Sequence, residues 1–386
     1  MCGGGGWLCT ESTTGVSVLV RGPGNVATRG VAVPHTDRHH RRCVNFLLTV
    51  QILRESRPGV VGRPPPTLCV SGGSVFAGLA RVASLWSVVL AAGRGTRLAT
   101  VTGGVPKQFW SPAGDRSLLE DTIARLAPLT DPVHTLTVVD DTHHPYVEHL
   151  QERASIGEVV YQPSDRGTAA GVLLATMVVS TCEPDAVVVV TPSDHGVTGD
   201  EEFRSGVREA AGYVHRHTDD IVLLGVEPLS AVGDYGWIVP AREHDADSHT
   251  STVAAFVEKP TAPAAERLFA SGAVWNTMVL VARAEAILSL YRRCVPDLAG
   301  AFESFRFLPP VRRDQHLRRL YEHLPVLDFS HDVLEQASGL HCLAWRSSVG
   351  WTDLGTPERL AAWVAQRSST GRSSRPPAGP DSGTVH

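Results

Sequence analysis

Short apolar runs alternate with longer amphipathic stretches through the middle of the chain. Five apolar runs bounded by turn residues predict strands, at 87–92, 134–140, 158–163, 186–194 and 220–228. Four stretches with helical spacing predict the helices between them, at 117–127, 145–154, 167–180 and 201–217. Strands that alternate with helices of this length predict an α/β fold with a mostly parallel sheet covered on both faces.

The carboxyl ends of the predicted strands are where we expect a ligand site, because ligands of such sheets bind there. Two segments near these ends contain residues of the kind that bind ligands. The glycine-rich stretch LAAGRGTRLATVTGGVPKQF, at 90–109, ends the first strand, and TPSDH, at 191–195, ends a strand of four consecutive valines. A carboxylate at the end of a buried strand is costly unless it is paired or bound to a metal. Asp194 is therefore a candidate metal ligand, with a turn or helix-cap role as its alternative.

The two ends of the chain differ in composition from this alternating region. Residues 1–85 contain nine arginines, only three acidic residues and the glycine- and proline-rich pieces MCGGGGW and GRPPP. We expect 1–85 to be a disordered or spurious N-terminal extension, 86–366 to be one catalytic domain, and 367–386 to be a disordered tail.

Charge, hydropathy and cysteine usage exclude several classes of protein. The net charge of −5 offers no global attraction to nucleic acid. No apolar run approaches the roughly 20 residues that span a bilayer, so we expect no membrane partner. The seven cysteines form no C-x-x-C pair, which favours free thiols in a reducing compartment and a cytoplasmic location. A homodimer is compatible with the sequence.

The glycine-rich stretch departs from two well-known phosphate loops. A dinucleotide fingerprint needs a third glycine where Leu98 stands, and no acidic residue ends a second strand at the usual distance. A P-loop needs Gly-Lys-Ser/Thr, but Gly95 is followed by Thr96 and Arg97. An anion-binding turn with cations nearby and an ordinary strand-to-helix turn both stay open on this segment alone.

Lysine is rare in this chain, and its positions are informative. Lys and Arg total 35, but lysine occurs only at Lys107 and Lys259, which leaves 33 arginines. A position that keeps lysine in such a chain favours a need for a compact ammonium rather than a planar guanidinium. Chance is the alternative, since two residues are few.

Seven motifs in order resemble those of sugar-1-phosphate nucleotidyltransferases. GRGTRL followed by PKQF resembles the family signature, and PKQF is most similar to the mannose-1-phosphate guanylyltransferases. The other matches follow in family order: QPSDRGTAAG (162–171), TPSDH (191–195), YGWI (235–238), VEKP (257–260), WNTMV (275–279) and WTDLGT (351–356). The resemblance implies a Rossmann-like α/β/α sandwich of the nucleotidyltransferase type.

The resemblance also implies a reaction and its partners. A sugar 1-phosphate oxygen attacks the α-phosphorus of a nucleoside triphosphate, and pyrophosphate leaves. The partners implied are GTP, or another NTP, with mannose 1-phosphate, and the cofactor is Mg²⁺. Positioning and electrostatics perform most of such catalysis, so no covalent intermediate is expected.

Site residues follow from the matched motifs. The implied catalytic residues are Arg97, Lys107, Asp194 and Lys259. Those implied for nucleotide binding are Ala92, Gly93, Gly95, Thr96, Arg97, Lys107, Gln162, Arg166, Gly167 and Thr168. Those implied for the sugar phosphate are Gly236, Glu258, Lys259 and Asn276. Asp194 and Asp353 would hold the metal, since Mg²⁺ takes one or two carboxylates with phosphates and waters. Asp353 could instead cap the following helix, but Thr356 before Pro357 is the better candidate for a cap.

Two departures from the family pattern and three alternatives complete the interpretation. Ala170 and Gly171 replace a proline-containing step that the family usually has. Met278 stands where the family usually has glycine, which would reshape the sugar pocket. The same reaction with another sugar or base stays open. A non-catalytic regulatory relative that binds a nucleotide sugar is disfavoured because the expected ligands are all present. An NAD-dependent oxidoreductase is disfavoured by Leu98 and the missing acidic partner.

Overall fold

The computed structural model describes residues 83–112, 116–244 and 249–371, together with four short strands near the start of the chain. In the unit Met1–Glu55, β1 (Thr10–Ser12) pairs antiparallel with β2 (Gly15–Ser17), and β3 (Val20–Gly22) pairs antiparallel with β4 (Asn25–Ala27). The extension expected over 1–85 lies mostly outside the described residues and stays a prediction.

The unit Ser56–His386 contains a nine-stranded sheet in the order β10-β11-β13-β9-β12-β8-β5-β6-β7. Its strands are β5 (Leu85–Ala91), β6 (Thr135–Asp140), β7 (Glu158–Gln162), β8 (Val187–Pro192), β9 (Ile221–Val226), β10 (Trp237–His244), β11 (Thr250–Val257), β12 (Val274–Arg283) and β13 (Leu340–Trp345). Only β11 and β12 run opposite to the other described strands of this sheet. The mostly parallel sheet predicted from the sequence is confirmed.

Ten α-helices are described in this unit: α1 (Ala99–Thr102), α2 (Leu118–Leu126), α3 (His144–Gln151), α4 (Gly167–Cys182), α5 (Asp200–Arg216), α6 (Ala262–Ala270), α7 (Ala284–Cys294), α8 (Pro296–Glu303), α9 (Pro310–His323) and α10 (Pro357–Gly371). Every strand and helix predicted between 87 and 228 is present, although most of the predicted bounds are shifted by a few residues. The elements β10–β13 and α6–α9 were not predicted.

The boundary expected at 366 needs a correction, because α10 continues to Gly371. Arg367, which was placed in the tail, pairs with Asp121 on α2 and stacks on Trp363. These two contacts hold the last turns of α10 against the domain. Residues 372–386 lie outside the described residues.

Two apolar cores cover the two faces of the sheet. Val188 and Val190 face the core that contains α4, α7, α8 and α9, whereas Val187 and Val189 face the core that contains α2, α3 and α5. Successive residues of a strand point to opposite faces, so four valines in a row are buried on both sides. The α/β/α sandwich follows directly from this burial.

A third apolar cluster lies beside the glycine-rich loop. Leu98 is 1% exposed and packs with Leu118, Leu354, Leu360 and Trp363. The leucine that spoils a dinucleotide fingerprint is thus a core residue that attaches α10 to the loop. This contact brings the loop and residues 353–354 to the same edge of the sheet.

Strand direction brings distant motifs to one edge. The loops after β5 and β8 leave at their carboxyl ends, as expected for parallel strands. Because β12 is reversed, its first residues pair with the last residues of β9, Trp275 with Val226 and Asn276 with Gly225. The start of β12 therefore lies at the edge where the parallel strands end.

Candidate active site

The glycine-rich loop folds back onto Lys107. Gly95 has φ +60°, and a Cβ on it would lie 2.7 Å from the main-chain nitrogen of Lys107. Only glycine accepts both the left-handed backbone and this close approach. The predicted phosphate loop and the predicted phosphate lysine are thus packed together.

Gln108, which was not among the predicted site residues, holds this loop. Its side chain is 2% exposed, and its Nε2 donates to the carbonyls of Ala91 and Gly93, each at 2.8 Å. The two carbonyls flank the turn, so one amide fixes both sides of it. A glutamine directly after Lys107 in PKQF was the signal available in the sequence.

The Lys107 ammonium joins two loops that carry aspartates. Lys107 is 5% exposed, its Nζ lies 3.1 Å from Oδ2 of Asp194, and it donates to the main-chain carbonyl of Asp353. A buried ammonium must be paired, and here the partners come from the loops that follow β8 and β13. An isolated antiparallel bridge between Gly196 and Thr352 ties the same two loops together.

Asp194 is an ionised carboxylate in this setting. Burial acts against ionisation, but the charge of the adjacent Lys107 ammonium and its hydrogen bond outweigh it and lower the pKa of the carboxyl below its ordinary value. Burial lowers the pKa of the His195 imidazole, despite the attraction of Asp194. His195 packs edge-on against Trp351, with ring centroids 5.4 Å apart. The pair therefore presents one negative charge beside a neutral ring.

Asp353 is held by three donors. Its Oδ1 accepts hydrogen bonds from the Tyr235 hydroxyl at 3.1 Å, the Gly355 amide at 3.0 Å and Nη1 of Arg359 at 3.1 Å. Burial raises the pKa of this carboxyl, but the Gly355 amide and the nearby cations lower it to below the ordinary value. Thr356 accepts from the amide of Arg359 at the start of α10, as expected of the cap, so Asp353 is free of that role.

The four residues predicted for the sugar phosphate form a second group. A Cβ on Gly236 would lie 2.5 Å from Oε2 of Glu258, and the Gly236 carbonyl accepts from the amide of Asn276 at 2.7 Å. The Lys259 ammonium lies 3.1 Å from Oε1 of Glu258 and is 64% exposed, whereas Glu258 is 10% exposed. The lysine thus points to solvent from a largely buried carboxylate.

Tyr235 connects the two groups. Its carbonyl accepts from the amide of Lys259 at 3.2 Å, and its hydroxyl donates to Asp353. Its ring packs edge-on against Trp275 and Trp351. Tyr235 precedes Gly236 in YGWI, but nothing in the sequence marked the tyrosine itself as a linker.

The segment predicted to face the base packs on a stretch that the sequence did not single out. Oε1 of Gln162 accepts from the Tyr321 hydroxyl at 3.1 Å, and Nε of Arg166 donates to the Tyr321 carbonyl at 2.7 Å. Gly167 has φ +79°, and a Cβ on it would lie 2.2 Å from the carbonyl oxygen of Leu327. Thr168 accepts from the Phe329 amide at 2.7 Å. These polar groups are engaged by residues 321–329.

A π-helical turn, Phe329–Leu334, continues that stretch toward the sugar group. The Ser330 hydroxyl lies 3.4 Å from Nδ2 of Asn276 and 3.2 Å from the sulfur of Met278. Asp328 caps the turn by accepting from the amides of Ser330 and His331. The sequence offered a signal in LDFS, because an aspartate side chain often accepts from the amide two residues later and so forms a turn or cap.

Backbone strain is concentrated around the predicted site residues. Lys259, Met278 and Leu354 have φ of +44°, +59° and +50°, and they are the only non-glycine residues with positive φ in the described part of the chain. Each is a predicted site residue or lies within two residues of one. Such outliers tend to cluster at functional sites, where the surrounding structure holds them. Met278 occupies a bulge of β12 between Asn276 and Val279, and its left-handed backbone is the conformation that glycine adopts most readily.

The remaining predicted residues lie on the open side of the loop. Gly93 and Arg97 are exposed, and Ala92 is half-buried. A Cβ on Gly93 would meet no atom within 4 Å. Thr96 lies in the single turn Thr96–Leu98. This side of the loop is accessible to a ligand.

The donor set of the site suits Mg²⁺ when phosphate is also present. The described residues contain no group of three or more His, Cys, Asp or Glu side chains that could hold a metal ion by themselves. Mg²⁺ needs only one or two carboxylates when phosphates and waters supply the rest. Asp194 and Asp353, both with a lowered pKa, fit that smaller requirement.

Comparisons with known proteins find relatives of one family. The model of the nucleotidyl transferase family matches residues 86–368. The mannose-1-phosphate guanylyltransferase of Escherichia coli K12 is 29% identical over 287 residues, which cover 70% of this chain and 58% of that protein. ManC, a mannose-1-phosphate guanylyltransferase of Salmonella typhimurium LT2, is 29% identical over 294 residues, covering 72% and 58%. The chain therefore spans less than two thirds of these relatives.

Solved structures share the fold. A mannose-1-phosphate geranyltransferase from Thermus thermophilus superposes with a TM-score of 0.63 at 28% identity, covering 70% of this chain and 76% of that one. A mannose-6-phosphate isomerase structure from Helicobacter pylori gives a TM-score of 0.56 at 19% identity, with 70% of this chain and 99% of that one covered.

Among the described residues, no helix is both long and apolar enough to span a bilayer.

Proposed function

Because the chain belongs to the nucleotidyl transferase family, we propose that it transfers a guanylyl group from GTP to mannose 1-phosphate, giving GDP-mannose and pyrophosphate. The observation that carries the proposal is the buried Lys107 ammonium, which lies between the loops of Asp194 and Asp353 beside the glycine-rich turn. The names of the relatives support the choice of sugar and base.

The proposed reaction forms one bond and breaks one. A phosphate oxygen of mannose 1-phosphate bonds to the α-phosphorus of GTP, and the bond from that phosphorus to the oxygen that bridges to the β-phosphate breaks. Both substrates are anionic, so the site must offset repulsion and hold the attacking oxygen in line. The pyrophosphate leaves with the electrons of the broken bond, so no protein nucleophile is required.

The residues of the site divide this work. The main chain at Gly93 and Gly95, with Arg97 and Lys107, would bind the phosphates of GTP. Lys259 would bind the sugar phosphate. The base would lie nearest to Gln162, Arg166, Gly167 and Thr168, which form one wall of the site together with the stretch 321–329 that they contact. The sugar hydroxyls would contact Glu258, Gly236 and Asn276.

Asp194 and Asp353 would hold Mg²⁺. The ion, when bound, would supply positive charge to the phosphates. The lowered pKa of both carboxyls keeps them ionised at neutral pH, as a cation site requires.

The test is a pyrophosphate-release assay of the purified full chain with four NTPs against mannose, glucose and galactose 1-phosphates. We expect GTP with mannose 1-phosphate to be the best pair. We expect Lys107→Met to abolish release in a protein that still folds, although with a lower melting temperature, because Asp194 loses its buried partner. Release with a different pair would keep the reaction but overturn the proposed sugar or base. Binding of GDP-mannose without release from any pair would favour the regulatory alternative.

A further inference from the structure

Arg359, in the first turn of α10, contacts two aspartates and covers one aromatic ring. Its Nη1 lies 3.1 Å from Oδ1 and 3.3 Å from Oδ2 of Asp353, and its Nη2 lies 3.1 Å from Oδ2 of Asp234. The guanidinium carbon lies 4.6 Å from the ring centroid of Tyr235. The side chain is 23% exposed. Arg359 lies outside all seven motifs of the family resemblance.

The carboxylate of Asp353 has little freedom in this arrangement. Tyr235 and the amide of Gly355 bond to Oδ1, and a Cβ on Gly355 would lie 2.3 Å from Oδ2. A carboxylate offers about four lone-pair sites. Arg359 is the described donor that reaches both carboxylate oxygens, so it fixes the rotation of the carboxylate that the other two donors leave open.

We propose that Arg359 is a positioning residue of the site, which acts through Asp353 and contacts neither substrate. The planar guanidinium has a fixed fork of donors, so it can hold Asp353 and Asp234 at once while it stacks on Tyr235. A ligating carboxylate that is itself hydrogen-bonded is oriented for its ligand, and loss of such a partner typically lowers metal affinity or activity by about 10–100-fold. This inference rests on the proposed function.

A purely structural role is the competing explanation, because the same contacts attach the start of α10 to the domain. The chain offers a matched control on the same helix. Arg367 pairs with Asp121 and stacks on Trp363 at 4.7 Å, so it repeats the combination of aspartate and aromatic ring away from Asp353. Arg359→Met and Arg367→Met each remove one such anchor from α10.

Loss of the Arg359 charge and loss of its positioning role predict opposite changes in the affinity of the site for a divalent cation. Removal of Arg359 takes a positive charge away from Asp353, so charge alone predicts tighter binding of a divalent cation. Loss of positioning predicts weaker binding. Binding of Mn²⁺ to the full chain with GDP-mannose bound, which supplies phosphate ligands but cannot react without pyrophosphate, therefore distinguishes the two when it is measured by electron paramagnetic resonance.

We expect Arg359→Met to weaken Mn²⁺ binding and to raise the half-saturating Mg²⁺ concentration for pyrophosphate release by about 10–100-fold. Arg367→Met should leave both unchanged and lower the melting temperature. Arg359→Lys should behave as Arg359→Met, because an ammonium cannot hold both aspartates in the same geometry. In an Asp353→Asn background, Arg359→Met should have no further effect on Mn²⁺ binding.

Unchanged or tighter Mn²⁺ binding in Arg359→Met would overturn the proposal, and so would full recovery in Arg359→Lys. The failure of the proposed function is distinguishable, since it would appear as no pyrophosphate release by the wild type. The Mn²⁺ measurement would still report on Arg359 in that case.

Discussion

At the scale of single residues, the site depends on buried polar groups whose partners lie elsewhere in the sequence. Lys107 pairs with Asp194 and Asp353, and Gln108 bonds to carbonyls on both sides of the glycine-rich turn. Removing one partner of such a pair leaves the other buried and unsatisfied, which costs more than the interaction itself contributes. Substitutions here should therefore act on stability as well as on function.

Gln108→Ala should lower the free energy of unfolding by about 1–3 kcal/mol, because two carbonyls lose their donor. It should also raise the KM for GTP more than it lowers kcat, since the turn that binds the phosphates is loosened. Urea unfolding and steady-state kinetics measure the two effects. A normal KM in a destabilised variant would show that the turn keeps its shape without the amide.

Glu258→Gln should make the protein more stable at neutral pH and less able to bind the sugar phosphate. Burial outweighs the nearby Lys259 and raises the pKa of the Glu258 carboxyl. A group with a raised folded-state pKa favours the fold at low pH, and that contribution is lost as pH rises through the folded pKa. Gln cannot ionise, so it avoids the loss.

The stability gain of Glu258→Gln should therefore be present at pH 7 and vanish below the ordinary glutamate pKa of about 4.3. Urea unfolding between pH 4 and 8 measures it, with the KM for mannose 1-phosphate as the functional readout. A variant less stable than the wild type at pH 7 would contradict the prediction.

At the scale of elements, the junction of β7 and α4 is fixed by backbone contact rather than by side chains. Gly167 approaches the carbonyl of Leu327 so closely that a Cβ would lie 2.2 Å from the oxygen. This contact joins the segment predicted to face the base to the stretch before the π-helical turn. The π-helical turn in turn reaches Asn276 through Ser330. Two predicted subsites are thus in contact with one element, the π-helical turn and the stretch before it, which was not predicted from the sequence.

Gly167→Ala should be more destabilising than Gly103→Ala by several kcal/mol, because backbone atoms must shift at 167. Gly103 has φ +64° and Gly167 has φ +79°, but a Cβ on Gly103 would meet nothing within 4 Å. The left-handed backbone alone costs about 1–2 kcal/mol, so Gly103→Ala isolates that part. Chemical unfolding of both variants measures the difference. Equal losses of unfolding free energy in the two variants would mean that the backbone around Leu327 shifts at little cost.

At the scale of the whole molecule, one catalytic unit is expected to carry the fold and the site. The family match runs over 86–368, and the described core begins at Ala83, which is 8% exposed. Every residue assigned to the proposed site, including Arg359, lies between Ala92 and Arg359. The unit Met1–Glu55 contributes none of them.

Deletion of residues 1–80 should leave the melting temperature within a few degrees of the full chain and kcat/KM within about twofold, because the cut spares Ala83 and β5. Calorimetry and the pyrophosphate-release assay check this. Failure of the shortened chain to fold would show that the expected extension supports the domain.

Two of the cysteines that the structure describes are free thiols, as the scattered spacing predicted. These are Cys294 and Cys342. Burial raises the pKa of the Cys342 thiol to about 12, so this side chain is an unreactive part of the core.

Sequence patterns by themselves determined the alternation of β5–β9 with α2–α5, the burial of β8 on both faces, and the family motifs. These features depend on local periodicity and on short runs, which one chain displays directly. Only the tertiary structure decided how the motifs meet. It reverses β12, packs Gly95 against Lys107 and places the Tyr235 hydroxyl within hydrogen-bond distance of Asp353. Tyr235 and Asp353 are 118 positions apart, and a contact over that distance has no local signature. A compact ammonium at Lys107 was readable in the sequence, but the carbonyl and carboxylate that surround it come together only after the sheet has brought its loops to one edge.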